Sequence, residues 1–483
     1  MMETKLLTVC LSFLVSVSLA NNPGFVVRLT EHGLQYVRDL ALQLLREELQ
    51  HMDIPDQRGE SGTPIGKIDY TLSSIRVESA TVASLDISLD SGSGIRVSTS
   101  GVSLRMKADW RYKNRGFIHI SDHGSIDLAI AVDLSLTGTS EMTANGQPTA
   151  SVVRCEFNVQ NVDVHFHGGA SWLYNLFSGH VEKAIKTNLQ SQACSKITET
   201  LNRNGQKAME TLDLIEEVGN DIQLDLRLVQ SPIFESNYLE SLQKGQFSYH
   251  KSPSLNFSPQ PLSVPTYLSG QMFYMFVTEA MLNSAGEVYQ KSGKLKLKIT
   301  SDEISSSSFF QLNTDTIAGL IPGSTLKSKF PNMGMQLVVT VTQAPKFTIC
   351  TDSIKSVIST DMIAYVIHPD GNLTYVFTLG LVLNSTLGLW VENTDGRLYL
   401  GLTKNITVIH GAVTVKDSII GHFSGENIEA WLNLGVPFIL HGIQTKGIPI
   451  PTVRALTFVD PHITLLEGSL AIGTDVKYDM SQS

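Results

Sequence analysis

The segment Ile126-Asp-Leu-Ala-Ile-Ala-Val-Asp-Leu-Ser-Leu136 has an apolar residue at every second position. Successive side chains of a β-strand point to opposite faces of a sheet, so this period of two predicts a strand with one buried face. The same alternation continues through most of the chain from Lys67 to about Asp163, interrupted at Gly-Ser and Asn-Gly turns. Long alternating strands joined by short turns predict an antiparallel meander.

Two apolar stripes at three- and four-residue steps flank the meander and predict long amphipathic helices. The first stripe runs from Val26 to Met52, and the second runs from Trp172 to Leu201. An antiparallel sheet packed on long helices is an α+β arrangement.

The second half of the chain repeats this pattern after a segment, 250–265, that contains four prolines. Prolines at this density prevent a helix or a central strand, so the segment is expected to be a linker. Beyond it, further alternating strands enclose a helix candidate from Thr314 to Phe330 and another around Ile428 to Leu434. The sequence therefore predicts an N-terminal domain at 21–249, a linker at 250–265 and a C-terminal domain at 266–483.

The composition excludes several classes of protein. Hydrophobic residues make up 42% of the 483 positions and charged residues 17%, which is typical of a globular chain rather than a disordered one. The net charge of -10 argues against general electrostatic attraction to nucleic acid. A site for an anion must therefore come from a local group of Lys and Arg residues.

The first twenty residues have the organisation of a secretory signal peptide. Lys5 precedes an apolar run from Leu6 to Val17, and Ser18-Leu-Ala20 supplies the small residues of a cleavage site. The run is shorter than the ~20 residues that a transmembrane helix needs. We therefore expect signal peptide 1–20 and a secreted glycoprotein. Four Asn-X-Ser/Thr sequons agree with secretion: Asn256, Asn372, Asn384 and Asn405.

Removal of the signal peptide leaves three cysteines: Cys155, Cys194 and Cys350. In an oxidising compartment two of the three are expected to pair. A bond between Cys155 and Cys194 would join a strand-like segment to a helix-like one and close a loop of about 40 residues. Cys350 would then be either a buried thiol or the site of an intermolecular bond.

Several segments spread over the mature chain match segments of a known protein family in the same order. They are 22–36, Cys155 followed by 162–167 and 171–177, Cys194 with the residues to 198, 267–270, 285–289, 329–333, 446–451 and 472–478. Together they resemble the family of bactericidal/permeability-increasing protein and lipopolysaccharide-binding protein. The resemblance implies a boomerang of two similar domains, each a curved antiparallel sheet or barrel wrapped on long helices, joined by a central sheet. It also implies pairing of Cys155 with Cys194 and, in each domain, an apolar pocket for phospholipid.

A basic segment stands out in this acidic chain. It contains Arg105, Lys107, Trp110, Arg111, Lys113 and Arg115, and Asp109 interrupts it. Alternation places Arg111, Lys113 and Arg115 on one strand face. The resemblance implies that this is the family's lipopolysaccharide site, with the cations on the phosphates of lipid A and Trp110 in the acyl region. Asp109 departs from the family pattern, and a solvated charge run without a ligand is the alternative interpretation.

No pattern in the sequence indicates an enzyme or a metal site. Asp163, His165 and His167 share one face at two-residue spacing, but the apolar residues between them predict that this face is merely solvated. Motifs of hydrolases, zinc proteases, phosphate loops and kinases are missing from the sequence. We therefore expect no catalytic residue, no metal and no cofactor other than bound phospholipid.

The first functional hypothesis is a secreted, antibacterial innate-immune protein that binds the lipid A part of lipopolysaccharide and holds phospholipid in two apolar pockets. Its expected partners are lipopolysaccharide, phospholipid, the bacterial outer membrane surface and a receptor that takes over the lipopolysaccharide. The alternative is a protein that transfers phospholipid or neutral lipid between lipoproteins. The basic segment favours the first hypothesis.

Overall fold

The chain folds into two compact units that do not follow the order of the sequence. The N-terminal unit contains Leu29–Leu212 and Ser231–Glu240, and the C-terminal unit contains the residues before Leu29, Asp213–Gln230 and those from Ser241 onward. The computed structural model describes 22–51, 56–63, 66–114, 121–169, 171, 178–218, 221–249, 257–301, 311–394, 397–402, 407–425, 428, 448–449 and 456–478. The domain bounds expected from the sequence stay a prediction.

A strand precedes the first helix. Strand β1 (Phe25–Thr30) leads directly into helix α1 (Glu31–Gln50), and Thr30 marks the change. Its backbone is extended, and its Oγ1 accepts a hydrogen bond from Gly33 N at 3.3 Å, which caps the helix. The apolar stripe that begins at Val26 therefore starts in a strand, and the helix begins five residues later than the sequence suggested.

The N-terminal unit is built on the expected antiparallel meander. Its five strands lie in chain order: β2 (Gln57–Thr63), β3 (Gly66–Asp90), β4 (Gly94–Asn114), β5 (Ser121–Thr139) and β6 (Ser151–His167). On β5 the apolar residues Ile126, Leu128 and Ile130 are buried, whereas Asp127 and Ala129 between them are partly exposed. The period of two in the sequence thus corresponds to one buried and one solvated face.

Two helices contribute to the buried face of this sheet. Helix α2 (Ser178–Glu210) supplies Val181, Ile185 and Leu189 to the apolar cluster, and α1 supplies Leu42, Leu45 and Leu49. We call this side of the sheet the inner face and the opposite side the outer face. The start of the second helix expected at Trp172 lies outside the described residues.

A disulfide joins helix α2 to the edge of the sheet. Cys155 on β6 is bonded to Cys194 on α2, with 5.7 Å between the Cα atoms. The pairing is the one that the family resemblance implied. The cross-link closes a loop with a sequence separation of 39. Cys350 has a free thiol and is partly exposed.

The C-terminal unit is also rich in strands. Its strands and helices, together with the β9–β10 hairpin at the boundary of the units, are β7 (Ile215–Glu217), β8 (Ile222–Asp225), β9 (Ile233–Glu235), β10 (Tyr238–Gln243), β11 (Gln246–Tyr249), β12 (Phe273–Thr278), α3 (Glu279–Lys291), β13 (Lys296–Ile299), α4 (Thr314–Leu320), α5 (Leu326–Lys329), β14 (Gly334–Val341), β15 (Lys346–Ile349), β16 (Ile354–Ile367), β17 (Leu373–Leu387), β18 (Leu389–Thr394), β19 (Arg397–Leu402), β20 (Thr407–Ser418), β21 (Ile448–Pro449), β22 (Leu456–Leu466) and β23 (Ser469–Tyr478). The chain passes between the units four times: within β1, between Leu212 and Asp213, between Gln230 and Ser231, and within β10. The fold is α+β with two units.

A second five-stranded sheet forms the centre of the C-terminal unit. Its order is β13-β14-β16-β17-β20, with β15 also paired to β16, and the neighbouring strands are antiparallel. One face of this sheet packs with helices α4 and α5 into an apolar cluster that includes Ile317, Leu326 and Leu379. Each unit thus has its own core.

The helix expected from Thr314 to Phe330 is two short helices. Helix α4 ends at Leu320, and α5 begins at Leu326. Pro322 lies between them, followed by Gly323 with a φ of +88°. A proline lacks an N–H group, and a left-handed glycine breaks the helical path, so one continuous helix cannot form here. Of the helix expected around Ile428 to Leu434, only Ile428 lies within the described residues.

Candidate functional site

The outer face of the N-terminal sheet carries the cations of the basic segment. Residues on β4 alternate between solvent and core: Arg105, Asp109, Arg111 and Lys113 are exposed and Lys107 is partly exposed, while Met106, Ala108 and Trp110 are buried. The alternation follows from the pleat of the strand. The expectation that Arg111 and Lys113 share a solvated face is confirmed, and Arg115 lies outside the described residues.

Arg111 lies in a row of residues that crosses four strands. It is opposite Thr71 on β3 and His123 on β5, and Thr71 is in turn opposite Arg58 on β2. Residues directly opposite each other in antiparallel strands point to the same face. This row therefore places two guanidinium groups and an imidazole on the outer face.

Lys113 lies in the next row, opposite Asp69 on β3 and Ser121 on β5. Within the part of the chain that the structure describes, neither Lys113 nor Arg111 has an ion-pair partner. Both side chains are exposed. Their charges are therefore available to an anion from solution.

Lys107 differs from these two residues because it already has an acidic partner. Its Nζ lies 2.8 Å from Oε1 of Glu78 on β3. The hydrogen bond to Glu78 and the negative charge of Glu78 raise the pKa of Lys107. Arg105 lies opposite Ser79 and Ala129, which are uncharged. The basic segment thus contains one cation in an ion pair and three without one among the described residues.

Trp110 is placed differently from the expectation. It is 5% exposed and lies on the inner face, where its ring meets that of Phe166 edge-on at 5.7 Å. Its Nε1 donates a hydrogen bond to the backbone oxygen of Ser125 at 3.0 Å. The strand pleat is the reason, since residue 110 has the opposite parity to residues 111 and 113. Trp110 is part of the core and does not accompany the cations on the outer face.

The strands beside β4 contribute further basic residues that lie outside the basic segment in the sequence. Arg58, Arg76 and His123 lie on the same face and come from β2, β3 and β5. Arg76 lies between Ile75 and Val77 in an alternating strand, which is a usable signal, whereas β2 has no apolar residue from which the outward position of Arg58 could be read. Their proximity to the basic segment, however, depends on the register between the strands.

Acidic residues and histidines complete the outer face. His167 Nε2 lies 2.9 Å from Asp127 Oδ2, and His165 is directly opposite Asp127. Asp163 accepts a hydrogen bond from the Asn161 side chain at 2.7 Å. Among the described residues no group of three or more His, Cys, Asp or Glu side chains is arranged to hold a metal ion.

Two of the four sequons can be placed in the structure. Asn372 is exposed in the turn between β16 and β17, where its Nδ2 donates to Asp370 at 2.6 Å. Asn384 lies within β17, opposite Val357. Asn256 and Asn405 lie outside the described residues. Glycosylation at the four asparagines stays a prediction.

In the described ranges, no helix is long and apolar enough to span a bilayer. Two family models match the chain. The LBP / BPI / CETP family, N-terminal domain, matches residues 33–203, and the C-terminal domain of the same family matches residues 216–478.

Individual proteins agree with these matches. A bactericidal permeability-increasing protein of Sebastes schlegelii is 31% identical over 475 residues, which cover 96% of this chain and 97% of that protein. A lipopolysaccharide-binding protein of Homo sapiens is 27% identical, with 95% of both chains covered.

A solved structure is similar over nearly the whole chain. The crystal structure of a lipopolysaccharide binding protein has a TM-score of 0.59 at 24% identity, and the match covers 95% of this chain and 99% of that one. At this identity the likeness shows the fold. Taken with the family models and the relatives, the sheet and helix arrangement shows that this chain belongs to the LBP / BPI / CETP family, whose members are lipid-binding proteins and not enzymes.

Proposed function

We propose that this protein binds lipopolysaccharide as part of innate immunity, with the outer face of the N-terminal sheet in contact with the phosphates of lipid A. The observation that carries the proposal is the exposure of Arg111 and Lys113 without an ion-pair partner among the described residues. Relatives named lipopolysaccharide-binding protein and bactericidal permeability-increasing protein support the same ligand.

The chemistry of the face suits an anion held at its surface. Charge-assisted hydrogen bonds from Arg and Lys to phosphate are stronger than neutral ones, and a guanidinium can bind two oxygens at once. Two cations about two residues apart on one strand lie roughly 7 Å from each other, so both can contact phosphates of one ligand or of neighbouring ligands in a membrane. Arg115 is expected to extend the set.

The apolar interior supports binding of lipid chains. In the N-terminal unit, side chains of α1 and α2 and of the inner sheet face are buried only partly, among them Leu45, Ile185 and Phe166. Partly buried apolar surface gains free energy when acyl chains cover it. We propose that each unit holds a phospholipid in such an interior and that the protein acts outside the cell, as the signal peptide and sequons predict.

The test is a pair of charge-reversal variants. Arg111→Glu/Lys113→Glu removes two contacts worth about 1.5 to 3 kcal/mol each, so lipopolysaccharide affinity is expected to fall by at least about 100-fold. Arg203→Glu/Lys207→Glu makes the same change in net charge on exposed positions of α2 and serves as the matched control.

Lipid extracted from each purified variant is measured by mass spectrometry beside the affinity. Loss of lipopolysaccharide binding with unchanged phospholipid content supports two separate sites. Unchanged affinity in the folded double variant would contradict the proposal. In that case transfer of phospholipid or neutral lipid between lipoproteins, measured directly, becomes the better hypothesis.

A further inference from the structure

Around the basic segment, in the rows from Glu60, Asp69 and Lys113 to Arg105, Ala129 and Asp163, the outer face of the N-terminal sheet carries equal numbers of described positive and negative side chains. Six are cations: Arg58, Arg76, Arg105, Lys107, Arg111 and Lys113. Six are carboxylates: Glu60, Asp69, Glu78, Asp109, Asp127 and Asp163. Just beyond these rows, Lys67 and Asp56 add one exposed charge of each sign. At neutral pH this part of the outer face is therefore close to electrically neutral, and farther along the sheet the same face carries further charges of both signs: Arg96, Arg154, Asp86, Asp90, Asp133 and Glu156.

Three histidines lie on the same face, and all three are exposed: His123, His165 and His167. Histidine is the side chain that ordinarily gains its charge between about pH 8 and pH 5. Carboxylates keep most of their charge down to about pH 5. When the pH falls across this range, the face gains up to three positive charges while its other charges remain.

An acidic residue lies beside each of the three histidines. His167 Nε2 lies 2.9 Å from Asp127 Oδ2. His165 is directly opposite Asp127, and Glu182 of helix α2 accepts a hydrogen bond from the adjacent Val164 N at 3.3 Å. The second oxygen of Asp127, Oδ1, has no hydrogen-bond partner among the described residues.

His123 is the histidine nearest to the proposed phosphate contacts. It is directly opposite Arg111, and the carboxylate of Asp122 accepts a hydrogen bond from its backbone N at 2.9 Å. A proton on His123 therefore adds a charge to the row that already contains Arg58 and Arg111.

We propose that this outer face is an acid-strengthened docking surface for a membrane with anionic headgroups. The three histidines turn the balanced part of this face into a cationic one, and the sign of the change is complementary to the lipid phosphates. The inference rests on the proposed function because it assigns the same face to the ligand. It adds a condition, acidic pH, under which the protein holds an anionic lipid surface most tightly.

The test measures binding of the full-length protein to vesicles of phosphatidylglycerol mixed with phosphatidylcholine, at about pH 7.4 and about pH 5.5 and constant ionic strength. The phosphodiester of phosphatidylglycerol keeps its charge over this range, so a change in affinity comes from the protein. Each positive charge near an anionic surface contributes about a factor of five. We expect at least about a tenfold gain in vesicle affinity at the lower pH.

Three variants make the result specific to the face. His123→Gln/His165→Gln/His167→Gln is expected to reduce the gain to less than about twofold. His32→Gln/His51→Gln/His462→Gln removes three histidines that lie off this face and should keep the full gain. His123→Lys/His165→Lys/His167→Lys should bind at pH 7.4 as the wild type does at pH 5.5, which gives a readout that does not depend on loss of binding.

The outcomes separate this inference from the proposed function. An equal gain in the wild type and in the face variant, or no gain in the wild type, would overturn the inference, and lipopolysaccharide binding at neutral pH would be unaffected by that result. Displacement from the vesicles by millimolar inorganic phosphate would also overturn it, because it would reveal a local anion site instead of a lipid-facing surface. Loss of lipopolysaccharide binding alone, with the pH gain intact, would count only against the proposed ligand.

Discussion

The two units share one construction and differ on their solvated faces. Each has a five-stranded antiparallel sheet with an apolar inner side. In the N-terminal unit the outer face is dense in charge and contains three histidines. In the C-terminal unit the corresponding face exposes Val357 and Val382, which are 42% and 40% accessible, and its charged residues include the ion pair of Lys416 with Asp361.

The comparison explains why we propose the ligand contacts on an outer face. The inner faces need only apolar side chains of the right volume, because burial of apolar area drives folding and places no demand on charge. The side chains of the outer faces are exposed to water in both the folded and the unfolded chain, so folding does not restrict which polar or charged residues occupy these positions. The N-terminal face combines cations with carboxylates and three histidines, whereas the C-terminal face presents Lys296, Lys298, Lys346 and Lys355 beside its exposed valines.

The largest expected effect on stability comes from removal of the disulfide. Among the described cysteines, only the N-terminal unit has such a bond. Cys155→Ser/Cys194→Ser should lower the free energy of unfolding of that unit by about 4 kcal/mol, because the unfolded chain regains the freedom of the open loop. Cys350→Ser is the matched control and should change it little. Denaturant titration of both variants checks this, and equal midpoints would show that the cross-link is not needed.

Core substitutions of similar size test whether the inner faces are equivalent. Ile126 and Leu379 are 1% and 0% exposed in the two sheets. Ile126→Ala and Leu379→Ala should each cost about 3 kcal/mol, from lost burial and the cavity left behind. Thermal unfolding followed with each variant measures the two costs. A loss of stability from the substitution in one sheet without a comparable loss from the other would show that the two inner faces are not equivalent.

The C-terminal unit also contains buried charge, and its effect depends on pH. Asp225 is 7% exposed, and its Oδ2 forms ion pairs with Arg227 Nη2 at 2.7 Å and with Lys244 Nζ at 3.2 Å. Burial alone would raise the pKa of Asp225, but the hydrogen bonds and charges of Arg227 and Lys244 outweigh it and lower the pKa below its ordinary value.

A lowered folded-state pKa gives stability that is present above about pH 4 and is lost as the pH falls through the folded value. Asp225→Asn should therefore cost about 1 to 3 kcal/mol at neutral pH, with the difference from wild type shrinking in acid. Urea unfolding at several pH values measures this. A difference that stayed constant down to low pH would show that the carboxylate charge is not what stabilises the fold.

The smallest effects are expected on the outer faces. Val382→Thr and Arg111→Gln should each change the free energy of unfolding by no more than about 0.5 kcal/mol, since neither side chain is buried. Only Arg111→Gln should weaken lipopolysaccharide binding. A large loss of stability from either change would mean that the face concerned is structural.

The sequence by itself determined the alternating strands, the α+β class and the family. The residues from 126 to 136 needed no partner to show which of their side chains would be buried, because the pleat of a strand imposes the period of two. The same period predicts that Arg111 and Lys113 lie on the same face of their strand. It also implied, against the expectation drawn from the resemblance, that Trp110 faces the other way.

Only the tertiary structure decided which residues meet across strands. Arg58, Arg111 and His123 belong to three different strands and come onto one face through the register of four strands. Glu78 pairs with Lys107 for the same reason. Register is fixed by the packing of the whole inner face against the helices, and a shift of one residue would turn every side chain over. The arrangement of charge on the outer face therefore follows from the packing of the core on the other side of the sheet.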